Sequence, residues 1–137
     1  MTTTIRFPKL PAGQAPAKVV NLYGPSGVGK STWARSLPNS VRIDLCLAAN
    51  AEELWQEISL ELADNPSVVV IVLDEADKFR SWQGQSIPEV LQSFSGLFVL
   101  LSHGPLPEVR NVSWDRRTSV GWIEELAVKP RRGLGLP

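Results

Sequence analysis

An α/β fold of three layers, with helices on both faces of a mostly parallel central sheet, is predicted by three observations along this 137-residue chain. Apolar runs of strand length alternate with stretches of helical periodicity. A glycine-rich turn joins the first of those runs to a helix. The run at residues 68–73 is almost wholly aliphatic and β-branched, as a parallel strand covered on both faces requires.

The first strand is read at residues 19–23, ending at Gly24, and helix formers resume from Lys30 to residue 37, where Pro38 and Asn39 stop them. Residues 41–45 alternate apolar and polar side chains and suit a second strand. Asn50, with Glu53 three positions on, opens a helix whose Leu54, Ile58 and Leu62 recur at helical spacing. Asn65 and Pro66 end it, and the aliphatic run at 68–73 follows near the centre of the sheet. Ser86, Pro88 and Glu89 signal another helix start, with Val90, Leu91 and Phe94 on its apolar face and Gly96 closing it. Residues 97–101 form a further buried strand. The resulting order, βαβαβ(loop)αβ, implies parallel pairing. Past His103, Pro105 and Pro107 mark a loop, and residues 120–126 read as a last strand or a short helix.

One domain fits this length. Residues 1–17 read as an extended arm, 18–128 as the folded domain and 129–137 as a tail. Fourteen basic residues balance fourteen acidic ones, so bulk charge neither calls for nucleic acid nor excludes it. A hydrophobic share of 43% argues for a packed core rather than a disordered chain. The first 18 residues hold three prolines and no apolar run that would serve as a signal peptide or membrane span, so the protein is expected in the cytoplasm. Cys46, the single cysteine, reads as an inert core thiol at a strand end.

Gly24-Pro25-Ser26-Gly27-Val28-Gly29-Lys30-Ser31 fits G-x-x-x-x-G-K-[ST] between a predicted strand and a predicted helix, the context that this phosphate-binding loop needs. Backbone N–H groups and the helix dipole would face the same concavity. By position, Lys30 reaches the β- and γ-phosphates of ATP, the Ser31 hydroxyl ligates Mg2+, and Thr32 meets an α-phosphate oxygen. Asp74 and Glu75 stand at the carboxyl end of the aliphatic strand, where open α/β sheets bind ligands. Asp74 would hold Mg2+ and Glu75 would orient and deprotonate the attacking water. Both motifs are expected in one crevice, on strand tips lying side by side.

Together the two motifs resemble Walker A and Walker B of the additional-strand P-loop NTPases, and most closely those of the AAA+ branch, over residues 19–103. The resemblance implies a polar sensor of the γ-phosphate at the end of the next strand, where Ser102 stands, with His103 as runner-up. It also implies an arginine supplied from an adjacent subunit, for which Arg110, Arg116 and Arg117 are candidates, and hence a homo-oligomer. No helical lid of the AAA+ kind follows residue 103, and a lid arginine has no counterpart. In that shortness the chain is similar to reduced ATPases of viral and phage replication or packaging. The implied partners are nucleic acid or protein. Apart from the resemblance, Trp82 beside Lys78 and Arg80 reads either as an exposed ring for base stacking or as a core or interface residue, the commoner fate of so large an apolar ring.

Two other readings compete. Residues 24–32 also resemble the phosphate loop of guanylate kinases, although the acidic strand end is foreign to those enzymes. A module that binds nucleotide as a switch, without turnover, is the other, and Glu75 speaks against it.

Overall fold

The computed structural model describes residues 7–25, 30–35, 37, 39–68, 70–82 and 85–114. Eight regular elements follow in chain order: β1 (Lys18–Tyr23), α1 (Lys30–Arg35), β2 (Ser40–Asp44), α2 (Ala51–Asp64), β3 (Val70–Asp74), α3 (Ile87–Leu91), β4 (Leu97–Ser102) and β5 (Arg110–Ser113). Short 3-10 segments at Leu45–Leu47 and Ala76–Ser81 connect β2 to α2 and β3 to α3.

The strands form one sheet in the order β2-β3-β4-β1-β5, with every pairing parallel. All five carboxyl ends therefore lie along one edge. The expected α/β architecture is present, with one change in its detail. β4 separates β1 from β3, pairing Lys18 with Leu97 on one side and Val70 with Leu97 on the other, so the two strand tips are not immediate neighbours. Every residue of β3 and β4 is buried, which suits the central strand and one of its interior neighbours.

Side-chain alternation divides the interior into two layers. Val20, Leu22, Val70, Val72, Leu97, Val99 and Leu101 pack with Trp33 and Ala34 of α1 on one face. Ile43, Ile71, Leu73, Phe98 and Leu100 point to the opposite face, against Leu54 and Ile58 of α2 and Val90 and Leu91 of α3. A one-residue shift in any strand would exchange these sets, so the register is fixed by the burial of both faces.

The helix starts behave as their sequences predict. Asn50 Oδ1 accepts from the Glu53 N–H at 2.9 Å, and Glu53 Oε1 accepts from the Ala49 N–H at 3.0 Å. Ser86 Oγ accepts from the Glu89 N–H at 3.2 Å with Pro88 in the first turn, and α3 stops at Leu91 rather than at Gly96. Each side-chain cap satisfies an amide that has no partner within its helix.

One expectation is corrected here, and one open alternative is decided. Cys46 is exposed, not a core thiol. β2 ends at Asp44, whose Oδ1 accepts from the Cys46 N–H at 2.9 Å and tightens the chain into a 3-10 turn. That turn buries Leu45 and sends Cys46 and Leu47 outward. Trp82 is only 8% exposed and is not a free stacking surface. Ala76, Phe79 and Trp82 recur every three residues, the repeat of a 3-10 helix, so all three face the core. The Phe79 and Trp82 rings meet edge to face at 5.2 Å.

Part of the amino-terminal arm packs on the body. Phe7 is 6% exposed within the α2/α3 core layer, 6.5 Å from the Trp55 ring. Its carbonyl accepts from Gln92 Nε2 at 2.6 Å, and the Pro8 carbonyl accepts from Ser93 Oγ. Residues 120–126 and 129–137 lie outside the described residues. Among the described residues no helix is long and apolar enough to cross a membrane. Replacing Phe7 by Ala is expected to lower the unfolding free energy by about 3 kcal/mol, the usual loss for emptying a buried aromatic site, as read from the urea midpoint.

Candidate active site

The carboxyl edge of the sheet gathers the polar residues of the molecule. Gly24 follows β1 and is held there by its N–H, which donates to the Ser102 carbonyl of β4 at 3.1 Å. A β-carbon at this position would come within 3.2 Å of Trp114 Cβ, so glycine allows the chain after β5 to close over the start of the loop. Lys30, the first residue of α1, is 8% exposed. Its Nζ donates to the Gly24 carbonyl at 2.5 Å and to the Pro25 carbonyl at 3.1 Å. Burial draws the Lys30 ammonium below the ordinary lysine range, while Asp77, then Asp74, then Glu75 draw it back up. Residues 26–29 and the Ser31 side chain lie outside what is described; Thr32 is exposed on α1.

Asp74 ends β3 on the same sheet face as Val70 and Val72, the face that α1 covers. Its carboxylate is nearly enclosed. Oδ1 accepts the Glu75 N–H at 2.9 Å, and Oδ2 accepts from Arg42 Nε at 3.0 Å and from an Arg42 terminal nitrogen at 2.5 Å. Glu75 is exposed and adopts the left-handed conformation, φ 58° and ψ 43°. For a residue with a β-carbon this costs about 1–2 kcal/mol. It is fixed by the bond to Asp74 and by the Lys78 N–H, which donates to the Glu75 carbonyl at 3.1 Å. Strain of this kind concentrates where a side chain must be aimed.

The end of β4 differs from what its sequence suggests. Ser102 is 3% exposed, and its hydroxyl lies 2.8 Å from Asn21 Oδ1 and 2.7 Å from the Gly104 carbonyl. Asn21, fully buried in β1, donates through Nδ2 to the Gly104 carbonyl at 3.2 Å and to Asn111 Oδ1 at 2.8 Å. Asn111 in turn bonds both the N–H and the carbonyl of Leu106 at 2.8 Å. Ser102 therefore belongs to a buried polar bracket that ties β1, the turn after β4 and β5 together. His103 is the residue at the surface, its ring N–H position Nδ1 2.8 Å from Asp77 Oδ2. The same Asp77 oxygen accepts the His103 backbone N–H at 2.9 Å.

Arg110 begins β5 opposite Val20, three positions short of the last β1 pair, and is exposed on the edge strand. The structure does not gather it with Lys30 and Asp74. Arg116 and Arg117 lie outside the described residues. Arg42, Asn21 and Asn111 went unmarked in the sequence, and Asp77 read only as part of an acidic loop balanced by Lys78 and Arg80. A lone asparagine inside the apolar run of β1 was the one legible signal among them.

An enclosed ammonium and a strand-end carboxylate at one edge of the sheet suit a polyanion accompanied by a hard cation. Among the described residues no group of three or more His, Cys, Asp or Glu forms a metal cage. A single strand-end carboxylate is the donor set that Mg2+ takes when phosphates and waters fill its remaining positions. The residues present therefore fit a Mg2+-nucleotide.

The model of the family described as "ATPase family associated with various cellular activities (AAA)" matches residues 20–104, more than half of the chain. The chain belongs to the AAA family. Nucleotide binding follows from that membership, and the guanylate-kinase alternative has no counterpart in it. The matched AAA segment runs from β1 through the turn that Ser102 and Asn21 anchor. No match was found among curated proteins or among solved structures.

Two variants test the local energetics of this AAA site. Asn21→Ala is expected to destabilise the protein by about 1–3 kcal/mol in urea unfolding, because it strips partners from buried Ser102 and Asn111. Glu75→Gly should leave the thermal midpoint unchanged or raise it, whereas Glu75→Val should lower it, since only glycine tolerates the left-handed backbone without strain.

Proposed function

We propose that the protein is a Mg2+-dependent ATPase acting as an oligomeric motor or switch in nucleic-acid or protein transactions, of the kind found in viral or phage replication or packaging. The observation that carries this reading is the parallel sheet itself: β1, which leads through Gly24 towards Lys30, and β3, which ends at Asp74 beside Glu75, deliver both motifs to one carboxyl edge with β4 between them.

In this reading Lys30, Thr32 and the amides of residues 24–29 hold the triphosphate, and Ser31 with Asp74 holds Mg2+. Bound there, the cation supplies positive charge to the phosphate oxygens. Glu75, aimed by its left-handed backbone, orients a water and takes its proton on a carboxylate oxygen. The hydrogen-bonded Asp77 orients the His103 ring, so the γ-phosphate-sensing role passes to His103, while Ser102 braces the strand end from within. Support for this exchange is the inward bonding of the Ser102 hydroxyl. Among Arg110, Arg116 and Arg117, one arginine acts on the site of an adjacent subunit. Adenine rather than guanine, and a cytoplasmic location, complete the proposal.

The carboxylate of Glu75 is the point at which an ATPase and a non-hydrolysing switch part company. Glu75→Gln is expected to retain ATP binding while phosphate release falls by about 10²–10⁴-fold, the usual worth of a general base. Unchanged turnover in that variant would contradict the assignment. Measuring hydrolysis with single-stranded DNA, duplex DNA and RNA, alongside light scattering, identifies the stimulating partner and the assembly.

A further inference from the structure

The carboxylate assigned to the metal already has a cation on it. Arg42 lies in β2 opposite Val72 and reaches along the sheet to Asp74 at the strand tip. Both of its contacts, Nε at 3.0 Å and the terminal nitrogen at 2.5 Å, fall on the same oxygen, Oδ2. A carboxylate oxygen has two acceptor positions, and the guanidinium occupies both of those on Oδ2.

We propose that Arg42 is a built-in competitor of the divalent cation: it holds Asp74 in its absence and must release Oδ2 for the cation to be held there. This rests on the reading of Asp74 as a metal carboxylate. A carboxylate with only 9% of its side chain exposed needs a positive partner, since an enclosed charge without one is strongly disfavoured. A guanidinium at this distance and a divalent cation repel each other, so the two share the carboxylate poorly.

Arg42 has somewhere to go. Its side chain is 35% exposed, and it also lines an open cleft of about 470 Å³ between β2 and α2. Asp44, Glu53, Glu57 and Glu61 line that cleft as well. A guanidinium leaving Asp74 therefore has carboxylates within a cleft that Leu47 and Leu60 also line, which lowers the penalty of the exchange. Lys30, by contrast, is held to the loop carbonyls and is 8% exposed.

The test is a calorimetric titration of a non-hydrolysable ATP analogue into the full chain at a series of Mg2+ concentrations. Arg42→Gln is expected to lower the half-saturating Mg2+ concentration about tenfold, the worth of one charge-assisted hydrogen bond, with affinity in EDTA changed less than twofold. Arg42→Lys, which keeps the charge and loses the fork, should fall between Gln and wild type, and carries the test should the Gln variant not fold. An unchanged or raised Mg2+ requirement in the folded variants overturns the proposal, a raised one assigning Arg42 to orienting Asp74 for the cation. Wild-type binding that ignores Mg2+, or is unaltered by Asp74→Asn, would instead reject Asp74 as the metal carboxylate.

Discussion

The parallel pairing of β4 with both β1 and β3 is the constraint on which the rest of the molecule depends. It aligns the strand ends that carry Gly24, Asp74 and Ser102 along one edge, and it does so through backbone bonds inside a layer closed to water on both faces. Because Val99 and Leu101 face α1 while Phe98 and Leu100 face α2 and α3, the strand cannot slip without exchanging two cores at once. The polar edge is thus placed by apolar packing far more than by its own contacts.

At that edge the charges are arranged as a chain of exchangeable partners. Lys30 is drawn inward by loop carbonyls and steadied by acids from the segment after β3. Asp77 holds both the ring and the backbone N–H of His103, while Asp74 divides itself between Arg42 and the Glu75 amide. Such an arrangement keeps each buried or half-buried charge compensated, and leaves the partners open to replacement by a ligand that offers the same signs in a different geometry.

Much of this was legible in the sequence. The aliphatic run ending in two acids and the caps at Asn50 and Ser86 are local signals, and each produced the element it predicts. β5 was not legible: Arg110–Ser113 has one apolar residue in four, because an edge strand with exposed faces does not need more. Cys46 was misplaced, and Trp82 was left open between surface and core, for a common reason. Both follow strands through 3-10 turns, whose three-residue repeat inverts the side expected from strand alternation or from loop composition. The Arg42–Asp74 pair joins residues 32 apart in sequence and became visible only once β2 and β3 were in register.

The closure of the chain over Gly24 has an optical consequence. Trp114 follows β5, takes its place through an N–H donated to the Tyr23 carbonyl at 2.8 Å, and rests against Trp33 of α1 with ring centroids 5.3 Å apart. This indole pair bridges the two ends of the glycine-rich loop, one partner beside its first residue and the other on the helix it leads into. A shift of α1 relative to β1 and the chain after β5 would alter the spacing of these two rings, so their emission would report the placement of that helix.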